Sequence, residues 1–578
     1  MPFGILRAAA GVALALSALA AAAQTTTVTI GTRSGVLVQP LLGVNIGPSP
    51  QGEAGNTDVT AAYQERGVTL VRTHDYYGPL DMATLYPERS KDPSSQASFN
   101  FSGVQDSTYQ RSSDSVYAAI LAGGFEPYFR LGDSWNNVTP PSTTQLANWV
   151  QAAVQVLRHY REGQWNGYRS SFRFVEIWNE PDNEQFWPSG RTTDEFNQLY
   201  EQTAKALRSA FPTLKIGGPG WAPSGCLAAA GQAKVRSLLD QVKAKSLPMD
   251  FLSYHVYGTD AATYLSCAKF YRTELDSRGL NAVELHITEW NTPNASAGSA
   301  TSALRYNAQG AAYMTAAWMQ LQLGGVSQST FYRGTDPAPN AQEFYGLFNG
   351  DGRPKKVADA FSLWRDFTAY RFALQTSGGP SGVTLMAAED AGGARALLVA
   401  NPQSTAATIT PSFSDGRTLA DYRGSVSTVS DSASGLATTA LSGTRLSVPA
   451  KSSVLLRLTP KAASFNTTAS ANGAVTAHSV TLNTTIAAAD VGNAGTIHVA
   501  ALVGGNTWFA YDGKGWASWT TGELPAVFKG NLPPALTLTP INGMDLTGLT
   551  GTLVYVGYGS SADEMLRSAR YRLAYQLP

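Results

Sequence analysis

Between residues 41 and 334 the chain presents eight short apolar segments, each followed by a helical pattern or a long loop. The segments are "LLGVNIG" (41–47), "VTLVRTH" (68–74), "EPYFRLG" (126–132), "RFVEIWNE" (173–180), "KIGGPG" (215–220), "FLSYHVYG" (251–258), "VELHITEW" (283–290) and "STFYRG" (329–334). Each has strand length and is bounded by turn residues or a change to helical periodicity. Between them, "TTQLANWVQAAVQVLRHYRE" sets Leu146, Trp149, Val150, Ala153 and Leu157 on one helix face. "TTDEFNQLYEQTAKALRSAF" opens on capping candidates and carries Phe196, Leu199, Ala204 and Leu207 at helical spacing. Eight strand–helix repeats predict an α/β fold of the (β/α)8 TIM-barrel type. The rival is a doubly wound open sheet. It usually has fewer strands and often a Gly-rich phosphate turn, and "GGPG" at 217–220 does not match one.

The chain has 578 residues, more than one barrel needs. We expect the barrel over 24–370, closing on the helix "VADAFSLWRDFTAY" (357–370). Alternating segments such as "ARALLVAN" and "SSVLLRL" predict a small β-sandwich over 371–460. A further β-rich domain is expected over 461–578, where "TIHVAALVGGNTWFAYDGKGWASW" and "GTLVYVGYGS" stand out. Its aromatic cluster Trp508, Phe509, Tyr511, Trp516 and Trp519 is either core or a sugar platform.

Residues 1–23 read as an export signal, with Arg7, an apolar run over 8–20, and small residues before a cut near Ala23. An uncleaved anchor is the alternative, but the run is short and Ala-rich. Export then predicts a periplasmic or extracellular protein with no membrane span after cleavage. Lys+Arg and Asp+Glu both number 42, so no net charge favours nucleic acid or an acidic membrane. The histidines form no HExxH and the two cysteines no CxxC, so no metal or other cofactor is expected. Cys226 and Cys267 follow the fifth and sixth strands, whose loops are neighbours. In an exported chain they predict a disulfide beside the barrel mouth, with two buried free thiols as the alternative.

A barrel of this type carries its chemistry at the C-terminal ends of its strands. There stand Arg72 and His74, Asp133 to Asn137, Asn179-Glu180, Trp221, His255, Tyr257, and Glu289-Trp290-Asn291. Glu180 and Glu289 end the fourth and seventh strands and face each other across the mouth. Such a pair can cleave a glycosidic bond: one carboxyl protonates the leaving oxygen and the other attacks the anomeric carbon. The charge on one favours the proton on the other. Each could instead pair with an arginine such as Arg72 or Arg130. That is the expectation for Glu176, deeper in its strand.

"WNEP" (178–181), "ITEWN" (287–291) and "SYHVYG" (253–258) resemble the clan of retaining glycosidases whose acid/base follows an Asn on strand four and whose nucleophile ends strand seven. Within it, "WNEPDNEQFW", "VRTHDYYGPL" and "KIGGPG" are most similar to glycoside hydrolase family 39, which holds β-xylosidases and α-iduronidases. The resemblance covers about 41–460. It implies Glu180 as acid/base and Glu289 as nucleophile, without a metal. It also implies that Asn179 holds the sugar 2-hydroxyl, with Arg72 and Tyr257 beside the nucleophile. His74 and His255 would bond substrate or catalytic groups, or be satisfied in the core. Trp135, Trp187, Trp221 and Trp290 would stack on sugars or pack inside.

Two segments depart from the xylosidase pattern: the insert "THDYYGPLDMATLYPERSKDP" and the turn "LGDSWNNVTPP". They shape the subsites, so the expected carbohydrate substrate stays open between a xyloside and a bacterial exopolysaccharide. The rival from another class is a secreted carbohydrate-binding or adhesin protein without catalysis. Binding alone does not need a carboxylate pair.

Overall fold

The computed structural model describes residues 24–49, 57–106, 110–337, 343–461, 465–487 and 490–578. The expected export signal, 1–23, lies outside the described residues. Eight strands close into a barrel: β2 (Gly43–Asn45), β3 (Leu70–Arg72), β4 (Glu126–Leu131), β5 (Phe174–Ile177), β6 (Lys215–Trp221), β7 (Phe251–Tyr257), β8 (Glu284–Asn291) and β9 (Val326–Phe331). Neighbours are parallel, and β2 pairs with β9 to complete the circle. Each coincides with one of the eight apolar segments. The helix Leu146–Arg161 buries Trp149, Val150, Ala153 and Leu157 against the barrel. The helix Thr193–Ala210 begins with a capping box in which Thr192 and Glu195 bond each other's backbone N–H.

The barrel's expected start at residue 24 is corrected by β1 (Gln24–Leu37), which is not part of it. β1 pairs antiparallel with β10 (Phe372–Gly378) and parallel with β13 (Ala407–Phe413). Val28 and Ile30 point into a core shared with Leu397, Val399, Ile409 and Leu456. The chain thus enters through the second domain before it builds the barrel. The partners of β1 lie on the far side of the whole barrel segment, so no local pattern announces them.

The remaining strands of this nine-stranded sheet are β11 (Thr384–Glu389), β12 (Arg395–Asn401), β14 (Tyr422–Val429), β15 (Ala437–Ala440), β16 (Leu446–Val448) and β17 (Ser452–Pro460). β12 is buried on both faces. Its Leu397 and Val399 face the sheet's own core, while Ala396, Leu398 and Ala400 face the barrel's helices. Each such Leu or Val is worth roughly 1.5–3 kcal/mol relative to exposure. Polar contacts fix the seam: Asp431 accepts from the Ala308 N–H at 2.8 Å, and Ser453 Oγ donates to Thr315 Oγ1 at 2.9 Å.

The C-terminal region holds two more sheets. One consists of β18 (Asn466–Asn472), β19 (His478–Thr485) and β24 (Ala535–Met544). The other consists of β20 (Ala494–Val503), β21 (Thr507–Tyr511), β22 (Trp516–Ser518), β23 (Phe528–Asn531), β25 (Leu553–Gly559) and β26 (Tyr571–Gln576). Val480, Leu482, Ile497, Val499, Val554 and Val556 share their common core. Strand alternation splits the aromatic cluster. Tyr511 and Trp516 pack against that core, with Phe509 beside Trp516. Trp508 and Trp519 lie on the opposite face.

Cys226 and Cys267 form a disulfide with Cα atoms 5.3 Å apart. It joins the short helix Ser224–Leu227 after β6 to the middle of the helix Ala261–Asp276 after β7. The bridge therefore ties a loop-borne turn to a helix rather than two loops. Replacing both cysteines by serine is expected to lower stability by about 3–4 kcal/mol, since the bridge closes a long loop in the unfolded chain. Urea midpoints of oxidised and serine proteins measure this. Equal midpoints would show that the bridge adds nothing.

Candidate active site

The lumen of the barrel is filled in layers. Tyr128, Phe174, Phe251 and His286 close its floor, with the Tyr128 hydroxyl 2.9 Å from His286 Nδ1 and Phe251 stacked on the His286 ring. Above them the lining turns polar. Arg72 on β3, Glu176 on β5 and Thr288 on β8 are all buried. Arg72 Nε donates to Glu176 Oε2 at 2.7 Å, and Thr288 Oγ1 donates to Glu176 Oε1 at 2.8 Å. Burial opposes the Glu176 charge, but the Arg72 guanidinium and its other hydrogen bonds outweigh that and hold the carboxyl low. As the sequence implied, Glu176 is a structural ion-pair partner.

Arg72 fans its remaining N–H groups over the layer above. Nη1 donates to Asn45 Oδ1 at 2.9 Å and to Glu289 Oε1 at 2.8 Å, and Nη2 donates to Asn179 Oδ1 at 2.6 Å. Glu289 also lies 3.2 Å from His74 Nε2, and its Oε2 accepts from the Tyr257 hydroxyl at 2.7 Å. Burial alone would push this carboxyl up. The charge of His255, the hydrogen bond from His74 and the charge of Arg72 win, and Glu289 is held well below the usual carboxylate range. A register shift between β7 and β8 brings Glu289 opposite His255. Through this bulge the consecutive residues Thr288 and Glu289 both serve the lumen.

Glu180 sits just beyond β5, where the chain bends sharply. Trp178 and Glu180 both hold left-handed backbone, with φ of 79° and 47°. Conformations of this kind cost about 1–3 kcal/mol and persist where packing enforces them. Here the Trp178 indole is held outside the barrel by the Phe186 carbonyl, and the Glu180 N–H bonds the Gly220 carbonyl at 3.0 Å. Glu180 Oε1 lies 2.7 Å from His255 Nδ1, and Oε2 accepts from Asn183 Nδ2 at 2.8 Å. His255 Nε2 is 3.2 Å from Thr288 Oγ1, whose only proton goes to Glu176. Nε2 must then carry a hydrogen, so the short Nδ1 contact is closed by one further proton shared between His255 and Glu180. Burial disfavours the charged imidazole, but Glu289 and Glu180 together raise its pKa. Gly220 makes this packing possible. A Cβ there would lie 2.9 Å from His255 Nε2 and 3.3 Å from Glu176 Oε1.

Oxygens of Glu180 and Glu289 and a ring nitrogen of His255 all lie within 4.8 Å of one another. Among the described residues they are the one group of three His, Cys or carboxylate side chains spaced to hold a metal ion. Each member, however, already has the protein partner described above. Asn179 Nδ2 and His74 Nδ1 are buried without partners. Asn179 thus keeps a free donor beside the two carboxylates, where the sequence had it binding a hydroxyl.

Three of the four candidate tryptophans are corrected. Trp290 is fully buried on the outer side of β8, against Trp318 and Phe331, with its N–H on Ser329 Oγ. Trp187 packs edge-on against Trp178 and Phe196, and Trp221 lies behind Phe196. None presents a face to the mouth. Strand alternation is the reason, because the residue after a lumen-facing Glu289 points to the helices. Trp135 is half exposed, with its ring edge-on to Tyr77. It alone of the four can meet a sugar.

The structure adds residues that sequence reasoning missed. Tyr332, just after β9, donates to Asp75 Oδ2 at 2.6 Å, and Arg333 Nη1 donates to the Tyr77 hydroxyl at 2.6 Å. Tyr332 and Tyr345 flank Tyr257 edge-on. The "YRG" that ends the eighth apolar segment was the available signal. Asn45, which orients Arg72, had only its place at the end of β2.

Residues 47–315 match the family model described as glycosyl hydrolases family 39. The chain is 27% identical over 344 residues to a beta-xylosidase of Caldicellulosiruptor saccharolyticus, covering 54% of this chain and 64% of that protein. It is 25% identical over 259 residues to a beta-xylosidase of Geobacillus stearothermophilus, covering 39% and 47%. The matches thus span less than two thirds of either relative. Among solved structures, a glucosidase from Croceicoccus marinus superposes with a TM-score of 0.60 at 22% identity, over 76% of this chain and 99% of that one. A monomeric beta-xylosidase from Caulobacter crescentus CB15 superposes with a TM-score of 0.52 at 20% identity, over 75% and 99%. These two likenesses are of fold. The segment 47–315, a little under half of the chain, is what relates the barrel to glycosyl hydrolases family 39.

Proposed function

We propose that the chain is an exported glycoside hydrolase that cleaves an O-glycosidic bond with retention of configuration. One observation carries this reading: two glutamates whose oxygens lie within 4.8 Å, one of them clamped in its ionised form by Arg72, His74 and Tyr257. Retaining enzymes set their carboxyl groups about 5–5.5 Å apart, whereas inverting enzymes leave room for a water at roughly 6.5–9.5 Å. The ionised Glu289 attacks the anomeric carbon. Glu180 gives its proton to the departing glycosidic oxygen, and a glycosyl ester forms on Glu289. Glu180 then takes a proton from water, the water oxygen attacks the anomeric carbon, and the ester bond breaks. His255 holds Glu180 in place through both steps, and the Arg72 network keeps Glu289 a good nucleophile and leaving group. The free donor of Asn179 is available to the 2-hydroxyl as positive charge develops on the sugar.

The relatives' activities make β-xylosides the first substrates to test, with exopolysaccharide fragments next. The Cys226–Cys267 disulfide and the apolar segment before residue 24 support export into an oxidising compartment. No helix among the described residues is long and apolar enough to cross a membrane. A panel of aryl glycosides identifies the sugar. On the sugar that is turned over, Glu180→Gln is expected to lower kcat/KM about 10²–10⁴-fold for an alkyl leaving group. For a dinitrophenyl leaving group, which needs little proton help, it should lower it far less. Equal losses on both would remove Glu180 from the acid role.

A further inference from the structure

The C-terminal region carries a cavity of about 390 Å³, remote in sequence from the barrel mouth. This is within the usual range of ligand pockets, roughly 300–1,000 Å³. It opens on the face of the β20–β21–β25–β26 sheet turned away from that region's core. A solvent face of an antiparallel sheet normally carries polar side chains. Here the centre is small: Ala500 on β20 pairs across to Tyr555, and His498 to Gly557. Around that floor stand Trp508, Trp519, Tyr555 and Tyr571. Trp508 and Tyr555 lie 5.7 Å apart at 47°, forming an open angle of two rings. A Cβ at Gly557 would lie 2.4 Å from Met565 Sδ, so the helix Ala562–Arg567 packs directly on that end of the floor and walls the cavity there. No Lys, Arg, Asp or Glu lines the cavity, and both ring nitrogens of His498 are engaged, by Pro525 O and Thr496 Oγ1.

We propose that this cavity is a second carbohydrate-binding site, which seats an uncharged sugar ring against Trp508 and Tyr555. Trp and Tyr pair an apolar face with a polar edge, and a pyranose divides in the same way into a C–H face and a hydroxyl rim. An anion would find no cationic side chain there. The choice of a sugar as occupant rests on the glycosidase reading of the barrel. The site would hold a polymeric substrate while the barrel cleaves it.

The test uses the full chain with Glu289→Gln, titrated by calorimetry with xylotetraose and with cellotetraose. The proposal expects saccharide binding that Trp508→Ala weakens about ten-fold or more. Ala500→Leu, which fills the floor with apolar volume, should do the same without lowering the melting temperature. In the chain with Glu289 intact, both substitutions should leave kcat/KM on a soluble aryl glycoside unchanged. Saccharide affinity untouched by both substitutions, or no saccharide binding outside the barrel, overturns the proposal. So does binding of tetramethylammonium that Trp508→Ala abolishes, which would make the cavity a cation cage. If the barrel reading is the one that fails, the parent chain shows no aryl-glycosidase rate, whatever the cavity binds.

Discussion

Glu289→Gln lowers kcat/KM for an aryl glycoside by about 10⁴-fold or more, equivalent to roughly 5.5 kcal/mol of lost transition-state stabilisation. The amide has the shape of the carboxylate but cannot form the glycosyl ester. Its oxygen can still accept from Arg72 Nη1 or from Tyr257, so the mouth keeps its arrangement. The loss should therefore appear in rate and not in folding. It should also persist with activated leaving groups, which separates Glu289 from Glu180. Steady-state kinetics on two aryl glycosides of different leaving-group ability measure it. Residual activity above about one per cent of the parent would assign the attack to another group.

The second large effect falls on Arg72. Arg72→Met removes a fully buried guanidinium that bonds Glu176, Asn45, Glu289 and Asn179. Two buried carboxylates lose their cation at once, so stability at neutral pH should fall by about 3–5 kcal/mol. The sign of the pH dependence follows from the depressed carboxyls. In the parent, ionised Glu289 contributes stability that is present above the ordinary carboxylate pKa and lost as pH falls through its depressed value. Without Arg72 that contribution shrinks, so the gap between parent and variant narrows as pH falls. Adding Glu176→Gln removes one of the stranded charges and should recover part of the stability but not the rate. Urea midpoints at several pH values check both statements. A stability loss that stays constant with pH would show that lost packing, and not stranded charge, is the cause.

The barrel was legible because each of its strands is a local pattern. All eight apolar segments became strands, and the polar residues at their ends met at one mouth. Arg72, His74, Asn179, Glu180, His255, Tyr257 and Glu289 all stand in one hydrogen-bonded network. What escaped depends on contacts distant in sequence. β1 resembles any alternating strand until it finds β10 and β13. Trp187, Trp221 and Trp290 sit among the candidate site residues in the sequence, yet the turn after β5 and the alternation along β6 and β8 direct them outward into packing. Tyr332, Arg333 and Asp75 meet only because β9 closes on β2 and brings its loop beside that of β3. No spacing within a single segment encodes such a meeting.

The configuration of the first-formed product tests the two-carboxylate mechanism most directly. ¹H NMR of an aryl glycoside during the first minutes of hydrolysis, before mutarotation, resolves the anomeric proton of the released sugar. Attack by Glu289 followed by attack of water inverts the centre twice, so the initial product carries the anomeric configuration of the substrate. An initial product of opposite configuration would mean that water attacks directly, and would contradict the assignment of Glu289 as nucleophile.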